Sequence, residues 1–360
     1  MDKAELAARL ETLNSQKVSA CIGLDGFVDR IVRVVDKRLS PDEVTYVRTL
    51  GDYGGRIAAA GGLSLNFELV PLLQKLGGNG PIMANALSRL GADVSCIGAF
   101  GLPEPAKEFA PLARNARLYS VAQHASTDAY EFDDGKIIAS ALAPLNALSW
   151  EQIEKNVGLG ILVALFDNAS LIALNNWTMI PHMTEIWQHL QIAVFPRLTM
   201  RQRIIFLDLA DPSKRTDEDI HAAMDTIRGF GGFGTVLLSC NKREAMILGR
   251  VLGLALDEGE PAEAARRLQE TLGIDIVSIH TLDAAFASER GQVFSAPGFF
   301  VSSPVISVGG GDHFNAGLAY GLLHAFPLEG ALLLAGAVSG YYVRSGVSPD
   351  REQLLSFLQS

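Results

Sequence analysis

The sequence predicts an α/β fold, a mostly parallel central sheet covered by helices on both faces, accompanied by a second, smaller β-sheet. Three observations predict it. Short apolar runs alternate with stretches of helical period along nearly all of the 360 residues, which is the pattern of parallel strands buried on both faces. Glycine- and carboxylate-bearing segments follow several of the apolar runs, at the carboxyl ends where such sheets bind ligands. Two segments, 27–35 and 128–138, alternate in period two with no helix between them, as strands of a separate sheet do.

In chain order, 2–13 is an amphipathic stretch carrying acidic and basic residues. Apolar runs over 18–24, 94–99, 171–174, 203–208, 235–239 and 275–279 predict core strands. Apolar residues recurring every three or four positions predict helices over 43–59, 79–90, 150–156, 181–190, 217–230, 243–252, 261–272, 311–325, 328–343 and 351–358. The nearly unbroken apolar stretch 157–174 is interrupted at Asp167-Asn168, and neither half reaches the roughly 20 residues of a spanning helix. It reads as a buried helix followed by a short core strand. The small sheet is expected from about 27–36, 63–70 and 128–141, the last holding an Asp134-Gly135 turn. No repeat, low-complexity run or linker divides 1–360, so one domain is expected.

A formal net charge of -10 argues against nucleic acid or an anionic membrane as partner, since both need clustered Lys and Arg. Cys21, Cys96 and Cys240 are odd in number and widely spaced, which reads as reduced thiols rather than disulfides or zinc ligands. With no signal-like apolar core near the start, a cytoplasmic location is expected.

The most informative stretch runs from Gly309 through Gly310, Gly311 and Asp312 to Gly317, at the start of a predicted helix. The first N–H groups of a helix have no intrahelical partner, and glycines let a phosphate approach them. An Asp beside such a pocket can take the proton of an attacking hydroxyl while the amides hold the charge on a transferring phosphoryl group. Asp312 is equally suited to cap its own helix. His313 projects away from its neighbour's site on a helix and reads as a packing or surface residue.

The segment resembles the C-terminal signature of the ribokinase (PfkB) family of carbohydrate kinases, Gly-Ala-Gly-Asp-x-Phe-x-x-Gly, with Gly310 in place of Ala. Gly77-Gly78-Asn79, leading into an Ala-containing helix that ends Arg89-Leu90-Gly91, resembles the family's first signature. Asn241-Lys242-Arg243-Glu244 resembles its Asn-x-x-Glu element. The resemblance implies a ribokinase-like fold whose small sheet is a lid over the substrate. It implies transfer of the γ-phosphoryl group of MgATP to a hydroxyl of a sugar or polyol, Asp312 being the general base and Gly309, Gly310, Gly311 and Asp312 supplying the anion hole. Family lids also form dimer contacts, so a homodimer through the lid is one expectation.

For the acceptor, the resemblance implies a carboxylate after the first strand, either Asp29 or Asp25, with Asp29 favoured, and Gly78 and Asn79 completing the pocket. Carboxylates suit polyols because two oxygens accept from neighbouring hydroxyls. Asn241 and Glu244 are expected to act through water on Mg2+, although they also fit a capping box. The nucleotide base is expected against 280–285, beginning at His280, and the helical turns from Gly336 to Gly346. Several positions depart from the family pattern: Ile306, where an Asp commonly stands, argues against a monovalent-cation site. Ile82, the 99–105 segment, Leu282-Asp283-Ala284-Ala285 and Gly336 argue against an ordinary ribokinase or fructokinase. The alternatives are a nucleoside kinase of the same fold and a catalytically silent sugar sensor. A dinucleotide-dependent dehydrogenase is excluded because no Gly-x-Gly-x-x-Gly follows the first strand.

Overall fold

The computed structural model describes residues 1–13, 17–200, 202–306 and 308–360. Its strands, in chain order, are β1 Ser19–Leu24, β2 Phe27–Arg38, β3 Val44–Tyr46, β4 Leu69–Gly77 and β5 Asp93–Gly98. There follow β6 Ala116–Ser120, β7 Ala125–Phe132, β8 Gly135–Ala141, β9 Leu171–Asn175 and β10 Ile204–Asp208. The last are β11 Thr235–Asn241, β12 Ile276–His280, β13 Ala284–Glu289 and β14 Gln292–Pro297.

Nine strands form the large sheet, in the order β14-β13-β12-β11-β10-β9-β1-β5-β6. Every pairing from β12 to β6 is parallel, and the hairpin β13-β14 extends the sheet antiparallel at one edge. Alternate strand residues enter two apolar layers. Ile22, Val94, Phe206 and Leu237 pack among the helices Asn79–Arg89, Gly310–Leu323 and Leu328–Ser345. Cys21, Ile172, Ile205 and Leu238 pack on the other face with Trp177 and Trp187. Burial on both faces is why these strands read as continuous apolar runs.

The second sheet pairs β3, β2, β7 and β8, with β4 also on β2. Three sequence expectations are corrected here. The helix expected over 43–59 begins only at Leu50, capped by Thr49, because 44–46 pairs with β2 instead. In the segment 63–70 only Leu69 and Val70 are in a strand, which then continues to Gly77. The helix expected to be buried after 157 is Leu159–Asp167, of which only Leu162 and Phe166 are buried while Ile161 is 48% exposed.

The Gly310 helix lies against the Leu328 helix at Gly317, where a Cβ would stand 2.7 Å from the Ala335 Cα. Backbone contact at that point seats the N-terminus of the Gly310 helix beside the ends of β10, β11 and β12. Among the described residues no helix is long and apolar enough to cross a membrane.

Candidate active site

The Gly310 helix starts from Gly309, whose φ of 91° suits glycine, and among the described residues no side chain caps that N-terminus. Two cavities meet there. One, of about 170 Å³, is lined by Asp29, Lys75, Asn79, Thr127, Asn176 and Asp312, and lies between the small sheet and the large one. The other, of about 480 Å³, is lined by His280, Gly310, Gly311, Gly336, Ser339 and Phe299. A helix N-terminus with open amides therefore separates a small chamber, whose mostly apolar wall carries a few polar groups, from a larger one.

Asp312 is 8% exposed. Its carboxylate takes a bond from the Asn79 side chain, while Oδ1 has no partner among the described residues. Burial, then the charges of Asp208 and Asp25, push its pKa well above the carboxylate range. Asp208 is held in turn by the Ala210 N–H at 2.7 Å and by Asn315 Nδ2 at 2.6 Å. Asn315 Oδ1 accepts from Ser239 Oγ at 2.7 Å, so β10, β11 and the Gly310 helix are tied together behind the site.

Asp25 and Asp29, the two candidates for holding the acceptor, are separated by the fold. Asp25 is fully buried and lines neither cavity. Its Oδ1 accepts from the Gly80 N–H at 2.8 Å, and its Oδ2 from the Asn79 N–H at 2.8 Å and Asn176 Nδ2 at 2.7 Å. It is thus the anion at the N-terminus of the Asn79 helix, supplied from the short connection between β1 and β2. Burial pushes its pKa up to about 6 despite these donors. Asp29 lines the small cavity, with Lys75 and Thr127 as its electrostatic and hydrogen-bonding partners. Burial raises its pKa, and the Lys75 charge opposes that. The approach is close enough that a Cβ on Gly77 would stand 2.3 Å from the Asp29 carboxylate. Gly78 and Asn79 line the same cavity.

On the other side, Asn241 and Glu244 form a complete capping box. The Glu244 N–H donates to Asn241 Oδ1 at 3.0 Å, and Glu244 Oε2 accepts from the Asn241 N–H at 2.9 Å. Burial, then Asp208, raise the Glu244 pKa well above normal. Among the described residues no group of three or more His, Cys, Asp or Glu side chains is placed to hold a metal. The mutually repelling Asp208 and Glu244 fit a hydrated Mg2+ bound mainly through phosphates and water, a cation that would relieve their repulsion. His280 lines the larger cavity, its ring 4.8 Å from that of Phe314, and burial pushes its pKa down to about 4. Gly346 is not brought to His280. It ends the Leu328 helix in the left-handed conformation and lines a third cavity, of about 460 Å³. Gly336, Ser339, Gly340 and Val343, on the helix itself, face the larger cavity instead.

Sequence reasoning missed Lys75, Thr127 and Asn176. The signal for Asn176 was its place just beyond β9, whereas Lys75 and Thr127 reach the cavity only through pairing with β2. His313 is not at the surface but packed inside, 1% exposed, and both ring nitrogens have polar partners.

The fold recurs in solved structures. A probable sugar kinase from Rhizobium etli aligns with a TM-score of 0.68 at 16% identity, covering 96% of this chain and 98% of that one. Ribokinase from Arabidopsis thaliana, complexed with ribose and ATP, aligns with a TM-score of 0.63 at 17% identity over 96% of this chain and all of that one. Fold and sequence together define a carbohydrate kinase of the ribokinase fold. The model of the prokaryotic ketohexokinase family matches residues 5–360. A ketohexokinase from Haloferax volcanii is 30% identical over 343 residues, 93% of this chain and 89% of the relative. The chain belongs to the prokaryotic ketohexokinase family.

Proposed function

We propose that the protein transfers the γ-phosphoryl group of ATP to a hydroxymethyl group of a ketohexose, with Asp312 as general base and the amides of Gly309 to Asp312 as anion hole. The observation that carries this reading is the position of Asp312. It lines the acceptor-sized cavity with one carboxylate oxygen unbonded among the described residues, one residue away from Gly311 in the larger cavity. The ketohexose is taken from the activity named for the Haloferax volcanii relative.

In this mechanism the sugar enters the smaller cavity, where Asp29 and Asn79 bind its hydroxyls and the Lys75 charge opposes the burial that raises the Asp29 pKa. The reacting O–H gives its proton to Asp312 as its oxygen bonds the γ-phosphorus and the bond from that phosphorus to the β-γ bridging oxygen breaks, leaving ADP. The raised proton affinity of Asp312 suits a base. The open amides stabilise the charge spread over the transferring group. Asp208 and Glu244 would hold the water shell of a Mg2+ ion, which would supply neutralisation of the phosphate charge. The small sheet acts as a lid, with Ile31, Thr127 and Ile138 reaching into the cavity, and its closure keeps water from competing with the sugar. Buried free Cys21, Cys96 and Cys240 support a cytoplasmic enzyme. Leu72, Leu73 and Ile138, about half exposed on the same sheet, support a homodimer through it, which sedimentation would detect.

The test is ADP release from ATP with ketohexoses, aldoses, nucleosides or no acceptor. The reading predicts release with a ketohexose far above the others. Equal release without acceptor, or preference for a nucleoside, would overturn it.

A further inference from the structure

The loop that turns into the Gly310 helix is held from behind by two stacked rings. The His313 imidazole lies 3.6 Å from the Tyr342 ring, centroid to centroid, with an angle of 11° between planes. The Tyr342 hydroxyl donates to the Val308 carbonyl at 2.9 Å. His313 Nδ1 is 2.6 Å from the Gly309 carbonyl. Two consecutive carbonyls are thus each bonded by one ring of a single stack. Both rings line the third cavity and neither lines the larger one.

The protons of this network have one consistent assignment. A carbonyl can only accept, so Nδ1 carries the imidazole proton, and Nε2 accepts from Ser348 Oγ at 2.8 Å. Ser348 Oγ accepts in turn from Asn85 Nδ2 at 2.9 Å. The Tyr342 oxygen, having donated its proton, accepts from Lys75 Nζ at 3.4 Å. Burial pushes the His313 pKa down to about 4, so the ring stays neutral beside an anion site.

Peptide planarity gives the clamp its consequence. In a trans peptide the C=O of one residue and the N–H of the next point in opposite directions. Drawing the Val308 and Gly309 carbonyls back toward the rings turns the Gly309 and Gly310 N–H groups forward, and Gly310 lines the larger cavity. We propose that His313 and Tyr342 are positioning residues for phosphoryl transfer, which fix the direction of the Gly309 and Gly310 amides by holding the carbonyls behind them. This rests on the reading of those amides as an anion hole. Neither ring lines the two cavities of the proposed site; each acts through the loop.

The test is steady-state kinetics of the full chain with ATP and its best ketohexose for His313→Leu, His313→Asn and Tyr342→Phe, beside Asp312→Asn and with the Tm of each. His313→Leu lowers kcat on the order of 10- to 100-fold, since misaimed donors and displacements of an ångström act on the transition state. The sugar KM stays within about twofold, because the ground-state sugar contacts are elsewhere. His313→Asn, whose amide can donate to the Gly309 carbonyl from the Nδ1 position, restores most of the loss; a purely space-filling role gives no such rescue. Tyr342→Phe keeps the stack and lowers kcat by roughly 3- to 10-fold. Parental kcat in both His313→Leu and Tyr342→Phe, or an Asn variant no better than Leu, overturns the proposal. If His313→Leu does not fold, Tyr342→Phe alone decides. A fully active Asp312→Asn brings down the kinase-site reading itself, whereas an inactive one beside active ring variants brings down only the clamp.

Discussion

Asp25 offers a prediction in which the fold reassigns a sequence candidate. Replacing it with Ala leaves three donors without their acceptor, the Asn79 and Gly80 N–H groups and the Asn176 amide. At about 1–3 kcal/mol for each buried unpaired donor, the gross cost is about 3–9 kcal/mol. An opposing term comes from the carboxylate itself. Its pKa rises from 3.8 to about 6 on burial, so keeping it ionised costs the folded parent roughly 3 kcal/mol at pH 8. The net loss at pH 8 is about 3 kcal/mol at the middle of that range, which lowers Tm by roughly 4 °C. The sign with pH follows from the raised pKa: the folded chain holds a proton that the unfolded chain releases, so the parent loses stability as pH rises from about 4 through 6. The deficit of Asp25→Ala is therefore larger at pH 5 than at pH 8, by about 1–1.5 kcal/mol. Thermal and urea unfolding at the two pH values measure both quantities, with sugar KM measured in parallel. Parental Tm with only a raised sugar KM would refute the reasoning and return Asp25 to the acceptor site.

Two further outcomes are expected. Gly311→Ala places a Cβ 3.6 Å from the His280 ring, which is ordinary contact, and Ala is the better helix former by about 1 kcal/mol. The variant keeps or gains Tm yet loses on the order of tenfold or more in kcat/KM for ATP, because the methyl stands among amides that phosphate must approach; parental kcat/KM would move the phosphates elsewhere. Asp312→Asn replaces a buried carboxyl that faces Asp208, Asp25 and Glu244 and whose ionisation the fold opposes, so it raises Tm, and the gain grows as pH rises and shrinks as pH falls. An unchanged or lowered Tm by scanning fluorimetry would contradict that electrostatic account.

The large sheet was legible because its strands are buried on both faces and so carry their signal locally, as the ends of β1, β10 and β12 show. The 261–272 helix is found with those bounds, since Pro261 opens it and Gly273 closes it in the left-handed conformation. The small sheet was less legible because pairing, not propensity, decides it. Pro71 sits opposite Val32 where the β2-β4 register shifts, the place a sheet tolerates proline. The edge strand β6 and the hairpin β13-β14 carry weaker apolar runs and were not read as strands. In the site, Asp312 and its glycines were legible as a local motif. The choice between Asp25 and Asp29 was not, because it depends on which carboxylate lies beneath a helix 54 residues away in sequence. The polar partners of His313 were not legible for the same reason: Tyr342 and Ser348 belong to a later helix and the loop beyond it.

The central claim is that Asp312 takes the proton of the attacking sugar hydroxyl. Its most direct test is turnover of Asp312→Asn with ATP and a saturating ketohexose, with sugar affinity measured by calorimetry. The account predicts a loss on the order of 100- to 10,000-fold in kcat with sugar binding retained. Turnover equal to the parent's would contradict it.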